Sequence, residues 1–255
     1  MATGAVVGSM AIWVGAAVAA TTVVVTPANQ QGWSTADTRP GGTVDFVVDS
    51  TAPSGIGALQ LTTDATAAAK AQYMHEASTP LADVSELGYS TKQNSASAPV
   101  GDPSYQLAVD LLGSGGGFTT LVYEPYWNGA VVPGTWQQWD VDSGLFWSSA
   151  TVVCPNGVIG AGAGGPPLYT LSQIESACPD AVVTGFGVNV GTYNPGYDVE
   201  TDLVDFDGTV YDFEPYQAVT SKDQCKDGGW ATVTRADGSS FANQGDCIQY
   251  VNTGK

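Results

Sequence analysis

Asp198, Glu200 and Asp202 alternate along Asp198-Val199-Glu200-Thr201-Asp202, and Asp205 and Asp207 follow, so five carboxylates fall within ten residues. On a strand the three alternate residues share a face. Hard oxygen ligands gathered there suit calcium, whose charge would relieve theirs, and no other cofactor is expected. The competing reading is a row of acids facing water. A second chemical group is aromatic: Phe118, Tyr123, Tyr126, Trp127, Trp136, Trp139, Phe146 and Trp147 place four of the seven tryptophans in one stretch. Their flat apolar faces and polar handles suit ring-shaped ligands such as sugars, although aromatics alternating along strands also pack inward as core.

For a sugar ligand the candidate contacts are Tyr126, Trp127, Trp136 and Trp147 as stacking platforms, with Asn128 and Gln138 hydrogen-bonding ring hydroxyls. Strand alternation puts Trp136 and Gln138 on one face and Gln137 and Trp139 on the other, so only one of those tryptophans can face a given groove. The turn Tyr126-Trp127-Asn128-Gly129 is the segment expected to be exposed. No catalytic residue is assigned. Glycoside hydrolysis needs two carboxylates at a suitable separation. Glu124, Asp140, Asp142, Asp212 and Glu214 show no such pattern, and Asp198-Val199-Glu200-Thr201-Asp202 reverses the Glu-x-Asp-x-Glu order of laminarinase-like sandwiches. His75 is the lone histidine, no Gly-x-Ser-x-Gly elbow occurs, and Gly113–Gly117 is not followed by Lys-Ser/Thr, so it reads as a loop and not a phosphate cradle.

The elements that must position these groups are strands. Apolar or β-branched runs recur at Thr21–Thr26, Thr43–Val48, Ala58–Thr62, Tyr105–Leu112, Thr119–Glu124, Thr135–Asp140, Val182–Val190, Asp198–Phe206 and Thr209–Phe213. Breakers such as Arg39-Pro40-Gly41-Gly42, Asn128-Gly129 and Asn194-Pro195-Gly196 separate them. This pattern predicts an all-β antiparallel sandwich. Two helical patches are predicted, Asp64–Glu76 with its Ala65–Ala71 run, and Leu171–Ala177 with Ser172 as a possible cap. Residues 21–216 read as the sandwich domain. Residues 217–255 read as a small C-terminal hairpin that needs a disulfide to fold.

With 25 Asp+Glu against 7 Lys+Arg the formal net charge is -18, which repels phosphate backbones and excludes nucleic acid as a partner. The four cysteines allow three pairings. Spacing favours Cys154 with Cys178 and Cys225 with Cys247, each closed loop adding about 3 kcal/mol in the chain-entropy model. Disulfides imply an oxidising, extracellular setting for a secreted protein. Residues 1–20 are uncharged and apolar and end near Ala17-Val18-Ala19, a small-x-small pattern, so they read as an export signal without its basic region. If retained, they read as an assembly strand that could complete a neighbour's sheet.

The runs Tyr105-Gln106-Leu107-Ala108-Val109-Asp110, Phe118–Pro125, Gly134–Asp140, Phe146–Ser149 and Gly185–Gly191, with Asp202-Leu203-Val204-Asp205-Phe206 as a returning strand, resemble secreted bacterial concanavalin-A-like β-sandwiches, laminin-G-like and carbohydrate-binding-module-like jelly rolls among them. The motifs Cys225-Lys226-Asp227-Gly228-Gly229-Trp230 and Phe241-Ala242-Asn243-Gln244-Gly245-Asp246-Cys247 are similar to a disulfide tail on uncharacterised secreted actinobacterial proteins. The resemblance implies a jelly-roll fold that hosts binders, hydrolases and lyases alike. Three functions are therefore expected in order: a secreted non-catalytic binder of polysaccharide or surface glycan; an exported structural subunit assembling through its N-terminal strand; a glycoside hydrolase or lyase.

Overall fold

The computed structural model describes residues 20–236 and 238–255. The apolar segment 1–20, apart from Ala20, lies outside the described residues. Strands follow in chain order as β1 (Thr21–Val25), β2 (Trp33–Ser34), β3 (Gly42–Val48), β4 (Gly57–Thr63), β5 (Ala71–Pro80), β6 (Leu87–Ser95), β7 (Ser104–Asp110) and β8 (Phe118–Tyr123). After helix α1 (Pro125–Asn128) come β9 (Gln137–Asp140), β10 (Phe146–Ser148), β11 (Val152–Cys154) and β12 (Gly157–Ile159). Helix α2 (Leu171–Ala177), β13 (Val182–Val190), β14 (Asp198–Phe206), β15 (Thr209–Phe213) and helix α3 (Gln244–Thr253) complete the order.

These strands make the jelly-roll β-sandwich that the alternation predicts. In the first sheet β14 pairs with β6 on one side. On the other side it pairs with β4 over Asp198–Thr201 and with β15 over Val204–Phe206. The change of partner occurs at a bulge, where Leu203 has a φ of 52°. β3 and β9 close two edges, and β1 lies parallel to β15. The second sheet runs β10-β8-β7-β13-β5-β2.

Between the sheets the core is aromatic as well as aliphatic. Trp33, on the shortest strand, stacks on Tyr73 at 5.3 Å and meets Phe186, Tyr211 and Phe213 edge-on at 5.4, 5.3 and 5.1 Å. Such contacts join residues of both sheets around one ring, the offset and edge geometries that aromatic quadrupoles favour. Trp139 is buried in the core at 8% exposure, and its Nε1 donates to Thr91 Oγ1 at 2.8 Å. It belongs to the core and not to any groove.

Two local expectations change. The alanine run Ala65–Ala71 is not helical. A turn opens at Asp64, whose carboxylate accepts the Thr66 N–H and hydroxyl, and β5 begins at Ala71. Pairing of β5 with β13 and β2 outweighs the helix propensity of the alanines, a weak prior against tertiary context. Helix α2 forms where expected, but Thr170 is its cap, with Gln173 closing the capping box.

Both disulfides are Cys154–Cys178 and Cys225–Cys247, the two local pairs. The first ties the β11–β12 hairpin to the end of α2. The second ties a single 3-10 turn, Asp223–Cys225, to α3. The C-terminal region is thus disulfide-bonded, but what the bridge joins is a turn and a helix instead of two hairpin strands. Around it Val219, Val233 and Phe241 form a small apolar cluster of their own. Asn243 starts α3 by accepting the Asp246 N–H, a polar cap that no hairpin register would use. Among the described residues no helix is long and apolar enough to cross a membrane.

Trp139→Ala is expected to lower the unfolding free energy by about 3–5 kcal/mol, the cost of a large buried aromatic. Half-exposed Trp127→Ala should cost under about 1.5 kcal/mol. Urea unfolding of the oxidised protein measures both.

Candidate functional site

The second sheet carries a cleft on its outer face. Its register explains the lining. Phe146, Tyr123, Tyr105, Val188 and Tyr73 lie side by side across five strands and all point into the core. The next row, Trp147, Val122, Gln106, Gly187 and Met74, must then face out. So must Ser104, Asn189 and Gln72 one row further on. The cleft over this surface encloses about 520 Å³. From β10 to β13 its lining crosses three strand spacings, roughly 14 Å at ~4.8 Å each, with Lys70, just ahead of β5, beyond them.

Its floor is polar and internally bonded. Asn189 Nδ2 donates to Gln72 Oε1 at 3.0 Å, and Ser104 Oγ donates to the Asn189 carbonyl at 3.1 Å. Thr120 and Gln106 complete the floor. At the β10 end the wall is aromatic: Trp147 comes up from the sheet and Tyr126 from α1. Tyr126 Oη and Trp127 Nε1 both donate to the Gly164 carbonyl, at 2.8 and 3.0 Å. A Cβ on Gly165 would stand 3.2 Å from Trp127 Cζ2, so the glycine lets the loop lie close against that indole. Trp127 therefore holds the wall in place and Tyr126 lines it. Across the cleft the loop Gly191–Asn194 contributes Tyr193, 82% exposed, with a φ of 68°. Arg39 and Lys70 stand at the β5 end.

Two carboxyls line the same cleft. Burial pushes Glu124 up to about 8, even with Trp147 Nε1 beside it, and that buried indole N–H meets no acceptor at full hydrogen-bond geometry. Burial likewise lifts Asp102 to about 7 against a short hydrogen bond from Thr91 Oγ1. Tyr197 presses on the same region, since a Cβ on Gly101 would come within 2.0 Å of its hydroxyl.

The residues expected from sequence to bind a sugar divide between places. Tyr126 and Trp147 line the cleft. Asn128 is a turn residue: Nδ2 donates to the carbonyls of Glu124 and Leu145 while Oδ1 accepts the Leu145 N–H, so its amide is spent locally. Trp136 and Gln138 lie on the first sheet's side, where Trp136 Nε1 donates to Asp49 at 3.0 Å and the Lys92 ammonium sits 5.3 Å over the indole. The face-sharing of Trp136 and Gln138 does not bring them to Trp147, because β9 and β10 belong to different sheets.

The acidic strand divides too. Asp198 accepts from Gln60 and Asn94, and Glu200 accepts from Asn94 and pairs with Lys92 at 2.8 Å. Lys92 also pairs with Asp49. Burial works against the Asp49 charge, but Lys92, the Thr51 N–H and hydroxyl, and Trp136 outweigh it and hold the carboxyl well below its usual range. Past these residues the strand changes partner, and Asp202 accepts the Phe213 N–H at 2.9 Å on β15. There it is fully buried beside Asp212 and Glu214, whose own partners are Ser54 Oγ and the Ile56 N–H. The three acids expected to share calcium do not converge, and the cation at Glu200 is Lys92. Among the described residues no three His, Cys, Asp or Glu side chains are arranged to hold a metal ion.

No family model matches the chain, and no curated protein matches it. Solved structures do. It is similar to the family 11 carbohydrate-binding module of Clostridium thermocellum in complex with a mixed-linked tetrasaccharide, at 12% identity and a TM-score of 0.40, over 71% of this chain and 91% of that one. It is also similar to the CBM22-1 xylan-binding domain of Paenibacillus barcinonensis Xyn10C, at 17% identity and 0.35, over 72% and 87%. A third is an arabinose-bound family 51 α-L-arabinofuranosidase, at 8% and 0.39, over 73% of this chain and 26% of that one. These are likenesses of strand arrangement at low superposition scores, and ligand binding is a matter for the chain's own cleft.

Cleft residues that the sequence did not single out are Arg39, Lys70, Ser104, Gln106, Asn189 and Tyr193. The polar ones interrupt apolar runs: Gln106 in Tyr105–Val109 and Asn189 in Val182–Val190 are the only such signals.

Burial is the largest cause of the raised pKa of Asp202, which stands at about 8 against 3.8 in an unfolded chain. The stability linked to it is complete below the unfolded value and is lost as pH rises through about 8. Asp202→Asn should therefore raise Tm at pH 9 by several degrees, at about 2–4 °C per kcal/mol for a domain of this size. At pH 4 it should change Tm little. Calorimetry in the presence of a chelator at both pH values measures the difference.

Proposed function

We propose that this chain is a secreted, non-catalytic carbohydrate-binding β-sandwich that takes a polysaccharide strand into the cleft on the outer face of its second sheet. The observation that carries this reading is the composition of the cleft along its length: aromatic rings of Trp147, Tyr126 and Tyr193 beside a floor of Gln106, Asn189, Ser104 and Thr120. Sugars offer apolar ring faces and polar rims. A surface with flat rings beside amide and hydroxyl groups matches both, with the polar groups already fixed by bonds to one another. A cleft lined by residues of four neighbouring strands suits a chain better than a single small molecule. The two disulfides support oxidising, extracellular surroundings.

A hydrolase reading would use Asp102 and Glu124. Acid and base assignments in glycosidases come from environments that push two pKa values apart, leaving one carboxyl protonated and one ionised. Here burial raises both. They suit neutral hydrogen-bonding groups in the wall better than an acid and a nucleophile.

The test is affinity electrophoresis of the oxidised protein in a panel of soluble polysaccharides, with calcium and with chelator. Trp147→Ala is expected to abolish or weaken retardation at least tenfold. Trp136→Ala, on the other sheet, should leave it unchanged. Binding lost in chelator would reveal a calcium requirement. Retardation by no polysaccharide would overturn the reading and shift the weight to an exported assembly subunit.

A further inference from the structure

The cations of this acidic chain are few, and their placement is not even. Of seven Lys and Arg, only Arg39, Lys70 and Lys92 belong to the sandwich. Lys92 is closed in on the far sheet between Asp49 and Glu200. The other two both line the cleft. They are held side by side by the backbone: Arg39 and Lys70 form an antiparallel bridge, with the Arg39 N–H donating to the Lys70 carbonyl at 2.9 Å. The segment that carries Arg39 is pinned to β5 as well. Thr38 Oγ1 donates to the Gln72 carbonyl at 2.9 Å, and Gln72 Nε2 donates to the Ala36 carbonyl at 3.3 Å.

One carboxylate serves the pair. Lys70 Nζ pairs with Asp37, while Arg39 reaches it only through Nε at 3.8 Å. Two cations to one acid leave a positive surplus at this end. The Arg39 side chain is 50% exposed, and its terminal amines have no hydrogen bond among the described residues. A guanidinium so placed offers a planar fork that matches a carboxylate bidentately. The other acids of the lining, Asp102 and Glu124, are raised by burial toward their neutral forms and oppose an anion less than free carboxylates would.

We propose that the cleft is selective for an acidic glycan, with Arg39 and Lys70 receiving a uronate carboxylate at the end away from Trp147. This deepens the proposed function and rests on it. Opposing the ligand is the net charge of -18. At 0.15 M salt, however, charges beyond about 8 Å are screened while groups in contact are not.

Titration calorimetry at 0.15 M salt and pH 6 tests it with paired probes: oligogalacturonate and its methyl ester, glucuronate-substituted xylan and its carboxyl-reduced form, and a neutral mixed-linked glucan. At least one acidic probe should bind about tenfold or more tighter than its neutral partner. Arg39→Gln and Lys70→Gln should remove that advantage with Tm unchanged, and Arg39→Lys should restore part of it. Equal binding of acidic and neutral partners, or an advantage that survives both variants, overturns the acidic selectivity and leaves the glycan-binding reading intact. Binding of none of the probes, with Trp147→Ala indistinguishable from the native chain, overturns both.

Discussion

The structure depends on one row of the second sheet. Phe146, Tyr123, Tyr105, Val188 and Tyr73 are aligned across five strands, and their burial fixes the register of every neighbour. Side chains alternate with a period of two, so a slip of one residue would send Trp147, Gln106 and Met74 inward and the tyrosines into water. Two core tyrosine hydroxyls are met inside: Tyr105 Oη donates to the Asp205 carbonyl at 2.8 Å and, on the first sheet, Tyr89 Oη to the Pro103 carbonyl at 2.7 Å. The core thus sets the cleft, and through Tyr105 it also holds the two sheets in position against each other.

Strand positions were readable because their signal is local. Val182–Val190, Asp198–Phe206 and Thr209–Phe213 agree with the sequence pattern at both ends. Which tryptophans share a surface was not readable, because that depends on sheet membership. Trp136 and Trp147 are eleven residues apart yet belong to opposite sheets, as β9 pairs with β6 and β10 with β8. The alanine run misled for the same reason: its strand is made by partners far along the chain. Arg39 and Lys70 could not be paired from sequence, since one lies in the turn between β2 and β3 and the other in the loop between β4 and β5, and only the folded sheets bring their backbones together.

The acidic strand shows how a single alternating pattern can serve two ends. Along its first half Asp198 and Glu200 both accept from Asn94, and Glu200 pairs with Lys92. At the edge of the bulge, just before Leu203, Asp202 is buried with Asp212 and Glu214, and Glu214 is pushed up to about 7, burial being the largest cause. Asp202 Oδ2 and Asp212 Oδ1 have no hydrogen-bond partner among the described residues. Three acids can be gathered under one loop only where ionisation is suppressed or relieved, because a bare buried carboxylate costs far more than a hydrogen bond returns. The change of partner strand from β4 to β15 is what separates the Lys92 side of the strand from the acid cluster.

The same reasoning bears on the cleft. Charge on the sandwich is overwhelmingly negative, so a cation on its surface is readily neutralised by a neighbouring acid, as Lys92 is. Arg39 and Lys70 share one carboxylate, Asp37, so the pair keeps a positive surplus, and the backbone bridge holds the two residues side by side. A fixed cation pair at one end and fixed rings at the other give the cleft a direction. A chain whose units are alike along their length could enter either way round, whereas a chain with an acidic unit would have one preferred polarity. Direction of this kind comes from the placement of two elements, the Arg39 turn and the β10 end, that are held by the same sheet.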